Sequence, residues 1–186
     1  MRHIGPEGMM RPDPDCRLCG LWEGRTKIVL PSGDPDSRVA LVGEAPGATE
    51  DAEGVPFVGR SGKRLTRILA EAGVDRDDLL ITNTVKCRPP GNRDPKQSEM
   101  SACRVFLEGE LSSCEVVVGL GRSACRDILG YPVNMSEVAN RDLRITIGGR
   151  DVVFIPTFHP AACVYGKAAQ EGLRITAERI ARELKP

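Results

Sequence analysis

The feature that most constrains this chain is an alternation of short β-branched runs with helix-length segments, sustained from residue 39 onward. Residues 39–42, 79–82, 116–118 and 152–155 are apolar runs of strand length, and residues 61–72, 96–110, 122–129 and 167–185 are helix-like stretches between or after them. Helices that alternate with strands must cover the faces of the sheet. The order therefore predicts an α/β three-layer sandwich, with a central, mainly parallel four-stranded sheet flanked by helices. Gly148-Gly149, between the runs 143–147 and 152–155, predicts a peripheral hairpin. The 61–72 helix has the clearest period. Leu65, Ile68, Leu69 and Ala72 share one face, Lys63, Arg64 and Arg67 lie opposite, and Gly73 stands at the C′ position.

Residues 1–15 carry Gly5, Pro6, Gly8, Pro12 and Pro14 without periodicity, so a mobile leader is expected there, followed by a single domain over 16–186. A 186-residue chain with 40% hydrophobic residues fits one core. Its 26 basic and 26 acidic residues cancel, so the bulk positive charge of an obvious nucleic-acid binder is missing. No apolar run approaches the roughly 18–20 residues of a membrane span, and residues 1–15 lack the apolar core of a signal peptide. A cytoplasmic monomer without membrane association is expected.

Seven cysteines cannot all pair as disulfides. In a reducing compartment they read as a metal or cluster site plus buried thiols. Cys16 and Cys19 form a C-x-x-C pair, 67 residues separate Cys19 from Cys87, and 15 separate Cys87 from Cys103. A thioredoxin-type redox pair normally follows a strand and opens a helix, whereas this pair precedes every expected strand. A structural four-thiolate site is favoured. Zinc and a 4Fe-4S cluster both accept four cysteines, and the wide spacing leans toward the cluster. Cys114 and Cys125 read as small core residues, and Cys163 follows the His159 loop.

Open α/β sheets bind ligands at the carboxyl ends of their strands. Glu44 follows the first run, Asn83 the second, and His159 the run ending at Ile155, so a carboxylate, an amide and an imidazole converge on one edge. The surrounding motifs are Gly43-Glu44-Ala45-Pro46-Gly47, Pro56-Phe57-Val58-Gly59-Arg60-Ser61-Gly62, Thr82-Asn83, Lys86-Cys87-Arg88-Pro89-Pro90 and His159-Pro160-Ala161. Five motifs in this order with this cysteine frame resemble the family 4 uracil-DNA glycosylases, and the likeness runs from Cys16 to the C-terminal helix.

The resemblance implies a 4Fe-4S cluster on Cys16, Cys19, Cys87 and Cys103, and hydrolysis of the bond between uracil and deoxyribose in single- or double-stranded DNA. Such an enzyme must flip the nucleotide out of the helix before reacting. Phe57 offers a flat face for the base. The Asn83 amide can donate to uracil O4 and accept from N3–H, a pattern that cytosine reverses. By likeness, Glu50 lies near C5 to exclude the thymine methyl, and Gly43 and Ala45 border the pocket, with backbone N–H groups of the Glu44-Ala45 loop facing O2. His159 is expected to donate to O2 as the uracil anion departs. The better-known glycosylases of the superfamily carry an aspartate where Ala45 stands, so Glu44 and Asn92 become the candidates for orienting water. DNA contacts fall to two basic segments, Arg60, Lys63, Arg64 and Arg67 on one helix and the stretch 86–104 with five bases against two acids, with Arg60 foremost because it sits within the Phe57 motif; Val164 or Tyr165 is expected to fill the gap left by the flipped base.

Three other readings compete with this one. A non-catalytic or covalent uracil-DNA binder of the same superfamily would carry an extra histidine-containing basic loop, yet the chain has only two histidines, His3 and His159. A C-x-x-C redox module would work without Phe57, Asn83 or His159. A small-molecule hydrolase of the doubly wound class leaves the cysteine frame unexplained.

Overall fold

Every residue of three strands, β4 (Val39–Gly43), β5 (Leu80–Asn83) and β6 (Val116–Leu120), is buried, and alternate side chains feed two different cores. Val39, Leu41, Ile81, Val118 and Ile155 point to one face, where they meet Leu65 and Leu69 of α2 (Arg60–Glu71) and Leu173 and Ile180 of α6 (Lys167–Glu183). Ala40, Val42, Leu80, Val117 and Phe154 point to the other, against Leu107 of α3 (Gln97–Glu110) and Ile128 of α4 (Arg122–Leu129). Two buried faces explain why these strands read as continuous apolar runs rather than alternating ones. The result is the expected three-layer α/β sandwich, in a computed structural model that describes residues 3–4 and 10–185.

The central sheet has six strands in the order β3 (Ser32–Gly33), β5, β4, β6, β8 (Arg150–Thr157) and β7 (Leu143–Ile147). The four inner strands, with β8 (Arg150–Thr157), are mutually parallel, matching the four-stranded core expected from sequence. The edge strand β7 (Leu143–Ile147) pairs antiparallel with β8 through Gly148 and Gly149, whose φ values of 56° and 79° suit a tight hairpin. The other edge strand, β3 (Ser32–Gly33), is an addition to the expected count. Two small residues carry no apolar pattern. Gly33 pairs there because a Cβ at that position would sit 1.9 Å from the Leu79 carbonyl oxygen.

Two short helices also escaped the periodicity. Residues of α1 (Ala48–Glu53) have no apolar face; the helix is held instead by Asp51, which is buried and accepts from the Thr26 backbone N–H at 2.9 Å. The second is α5 (Met135–Val138), capped by the Asn134 side chain. In the expected leader, β1 (His3–Ile4) pairs antiparallel with β2 (Met10–Arg11) and Pro12 is buried, while residues 1, 2 and 5–9 lie outside the described ones.

The chain leaves β4 for β5 on one side and later returns to β6 on the other, so a crevice opens at the carboxyl ends of the strands. One buried ion pair braces it from behind. Lys86 Nζ lies 2.6 Å from Glu110 Oε2, with both side chains essentially solvent-free. The ammonium also donates to Thr82 Oγ1 at 2.8 Å and to the Asn83 carbonyl at 2.6 Å. Breaking one partner of such a pair leaves an uncompensated buried charge. Glu110→Ala or Lys86→Met is therefore expected to lower stability by about 3–5 kcal/mol, and the joint replacement K86M/E110L to recover most of it, as read from urea unfolding midpoints.

Candidate active site

Glycine at position 43, the last residue of β4, creates the floor of the crevice. A Cβ there would fall 2.5 Å from Asn83 Oδ1 and 2.5 Å from Phe57 Cζ. The amide and the ring thus occupy the space that any side chain at 43 would fill. The main chain beyond it is pinned to the segment after β5: the Thr84 and Val85 N–H groups donate to the Gly43 and Glu44 carbonyls at 2.9 and 3.2 Å. Asn83 itself is only 3% exposed, so its amide is presented to the crevice on a rigid strand end.

Phe57 is held in an unusual backbone state. Its φ of 54° lies in the left-handed region, which bulky residues rarely adopt. Glu50 Oε1 accepts from the Val58 and Gly59 N–H groups at 3.1 and 2.7 Å and so caps the approach to α2. Gly62 lets that helix close on the loop, since a Cβ at 62 would lie 1.8 Å from the Phe57 carbonyl oxygen. Glu50 therefore faces the crevice and also shapes the loop that carries Phe57.

His159 caps the 3₁₀ turn Pro160–Val164. Its Nδ1 accepts from the Ala161 backbone N–H at 3.2 Å, which leaves Nε2 as the protonated, donating nitrogen. The ring stands 6.2 Å from that of Phe57, tilted by 38°. Burial holds the imidazole below the ordinary histidine range, opposed by the nearby Glu50 charge. A neutral Nε2–H donor results. Glu44 shifts the other way: burial raises its carboxyl and the Asp94 charge adds to that, against a hydrogen bond to Ser123 and the charge of Arg126.

These groups line one open cleft of about 580 Å³, together with Ala45, Asn92, Arg60, Val164 and Tyr165. Asn92 adopts a φ of 55°, and its Oδ1 accepts from Arg88 Nε at 2.7 Å. Val164 and Tyr165 are 49% and 95% exposed at the rim. Of the residues expected from sequence, Gly43 lies under the floor rather than on the wall, and Lys63 projects into solvent from α2 outside the cleft lining. Sequence reasoning did not single out Arg93 and Ser61, which face the cleft, or Asp94 and Ser123, which meet Glu44. The cationic stretch 86–104 contained the signal for Arg93, whereas Ser123 is brought in from α4, and only the fold could show it.

A family profile described as "Uracil DNA glycosylase superfamily" matches residues 30–180. The chain belongs to this superfamily, as a type-4 member. The type-4 uracil-DNA glycosylase of Thermotoga maritima is 41% identical over 168 residues, covering 89% of this chain and 85% of that protein. The type-4 enzyme of Sulfurisphaera tokodaii is 38% identical over 176 residues, covering 91% and 80%. A type-5 uracil-DNA glycosylase from Thermus thermophilus is 38% identical, over only 53% of this chain.

Superfamily membership gives context to the cysteine corner. Cys16, Cys19, Cys87 and Cys103 all border one small pocket beside the third apolar cluster, with Leu21, Met100 and Phe106. All four are free thiols. Arg25 braces the corner: one guanidinium nitrogen donates to the Cys16 carbonyl at 2.7 Å and to Cys87 Sγ at 3.6 Å, the other to the Pro14 carbonyl at 2.8 Å. Among the described residues, no group of three or more His, Cys, Asp or Glu has the arrangement to hold a metal ion. Cys114 and Cys125 are core residues as expected, their thiols donating to the Ser37 and Gly119 carbonyls, and Cys163 is buried as well.

The His159 geometry makes a direct prediction. Nitrogen NMR should find the Nε2–H tautomer. Because burial disfavours the cation, its titration midpoint should lie below the ordinary value of about 6.5, so the neutral donor persists as the pH falls through that value.

Proposed function

We propose that this protein excises uracil from DNA, hydrolysing the N-glycosidic bond to release free uracil and leave an abasic site for base excision repair. The observation that carries the reading is the convergence of Phe57, Asn83 and His159, from three distant segments, on one cleft at the strand ends. Five type-4 uracil-DNA glycosylases at 37–41% identity support it.

The extruded base stacks on Phe57. The Asn83 amide pairs with uracil O4 and N3–H, and a cytosine would face it donor to donor and acceptor to acceptor, leaving buried groups unpaired. Glu50 stands where the C5 substituent of thymine would approach. As the glycosidic bond lengthens, negative charge collects on the uracil and positive charge on the sugar. His159 Nε2–H donates to O2 and stabilises the anion without transferring its proton. Water then adds to C1′ from the other side, oriented by Glu44 and Asn92; its surplus proton passes to solvent, the departing uracil anion takes one up in exchange, and Glu44 stabilises the sugar cation when ionised. Leaving-group stabilisation is the larger contribution and water activation the smaller.

DNA reaches the cleft past Arg60, which forms no ion pair among the described residues and is exposed at its mouth. Lys63, one turn along α2, extends this cationic face to the phosphates. Val164 and Tyr165 supply the exposed apolar lip that enters the duplex. Nothing in this scheme requires a second copy, and the protein acts as a cytoplasmic monomer. Among the described residues, no helix is long and apolar enough to cross a membrane.

Cys16, Cys19, Cys87 and Cys103 would hold a 4Fe-4S cluster. The fit rests on four free thiols around one pocket, the ligand set that a cluster takes with one thiolate on each iron. Once bound, the cluster supplies a covalent cross-link among distant parts of the chain rather than a redox step.

Incubation with a uracil-containing oligonucleotide, followed by alkaline cleavage, should give strand scission at uracil. His159→Ala is expected to reduce the rate on the order of 10²–10³-fold, more than Glu44→Gln does. Gly43→Ala should abolish activity while the fold persists, because its Cβ displaces the Phe57 ring and the Asn83 amide. An anaerobic preparation should contain iron and sulfide, and Cys103→Ser should lose folded protein before intrinsic chemistry, as followed by soluble yield and activity per folded molecule.

A further inference from the structure

We infer that Arg76, outside every motif discussed above, is a positioning residue for base recognition. It holds the backbone of Phe57 in the left-handed state that presents the ring to the flipped base. The inference rests on Phe57 being the stacking platform of the proposed function.

Phe57 cannot reach its place in a relaxed conformation. With a φ of 54° it lies in a region that costs a bulky residue conformational energy, and such a state persists only where surrounding structure imposes it. Arg76 imposes it from below. Its Nη1 donates to the Phe57 carbonyl at 3.0 Å and its Nη2 to the Pro56 carbonyl at 3.1 Å, so one planar guanidinium fixes two consecutive peptide planes. The same Nη1 donates to Thr66 Oγ1 at 3.2 Å, anchoring the fork to α2. Among the described residues, no carboxylate pairs with Arg76, and its polar contacts all go to neutral oxygens of this loop and helix.

The opposite side of the loop carries the complementary clamp, in which the Glu50 carboxylate binds the Val58 and Gly59 N–H groups. A cation on two carbonyls and an anion on the next two amides fix the peptide dipoles around Phe57 in one orientation. Gly62 closes the remaining side. Arg76 reaches this loop from the 3₁₀ turn Arg76–Asp78 after α2, 19 residues downstream of Phe57. A motif search cannot link the two.

A double-mutant cycle on the full-length, cluster-loaded protein tests the inference. Arg76→Met should lower kcat/KM on a uracil oligonucleotide about 10- to 100-fold and weaken inhibition by free uracil. In a Phe57→Ala background, the same change should cost nothing further, because there is no ring left to place. Arg76→Lys keeps the charge but cannot span two carbonyls, so it should show an intermediate loss of uracil inhibition; it also serves as the test should Arg76→Met fail to fold. The inference is overturned if Arg76→Met, or Arg76→Lys in its place, costs the same factor with and without the Phe57 ring. It is equally overturned if free-uracil inhibition is unchanged in the Arg76 variants while kcat/KM falls. Near wild-type activity of Phe57→Ala by itself would instead reject Phe57 as the platform, a separate outcome.

Discussion

The buried contact between Lys86 and Glu110 is the constraint around which the working end of the molecule is organised. An ammonium and a carboxylate without solvent are tolerated only if each finds further polar partners, and here those partners are Thr82 and the Asn83 carbonyl. Satisfying the charge therefore ties the end of β5 to helix α3. Cys87 follows Lys86 directly and Cys103 lies on α3, so the same brace joins the Asn83 amide to the cysteine corner. A hydrophobic pair could fill the volume. It could not also hold the Asn83 main chain at the rim of the cleft.

A second level of organisation comes from close approach rather than attraction. Gly43 and Gly62 leave no room for a side chain, and what fills that room is the Phe57 ring, the Asn83 amide and the Phe57 carbonyl. The cleft is thus preorganised by backbone shape. Polar clamps then fix what the shape permits: Glu50 on two amides, and Ala161 on His159 Nδ1. The imidazole is thereby oriented in advance, and its proposed stabilisation of a developing anion needs no further reorganisation.

Electrostatics follow the same division between bulk and local. The chain is neutral overall, and several cations of the expected basic segments serve the protein itself. Arg93 is engaged with Glu99, Arg88 with Asn92, and Arg64 with the Pro160 carbonyl. Arg60 and Lys63 stay exposed. A phosphate-facing surface here is a matter of which cations are left over after internal pairing, which net charge does not record.

The layer architecture, the four parallel strands, the hairpin and most of the candidate site were legible in the linear string. Buried strands, helix periods and strand-end polar residues are local patterns, and local patterns survive in a linear string. Phe57, Asn83 and His159 were legible because each sits at or near a strand end or within a short motif. The rest depends on packing. Edge strand β3 and helix α1 have no apolar pattern and exist through a close backbone approach and the buried Asp51. Ser123 and Asp94 meet Glu44, and Arg76 reaches Phe57, only because the chain reverses around β4 and α2. Those contacts depend on distances between residues far apart in sequence, and packing, not composition or spacing, sets such distances.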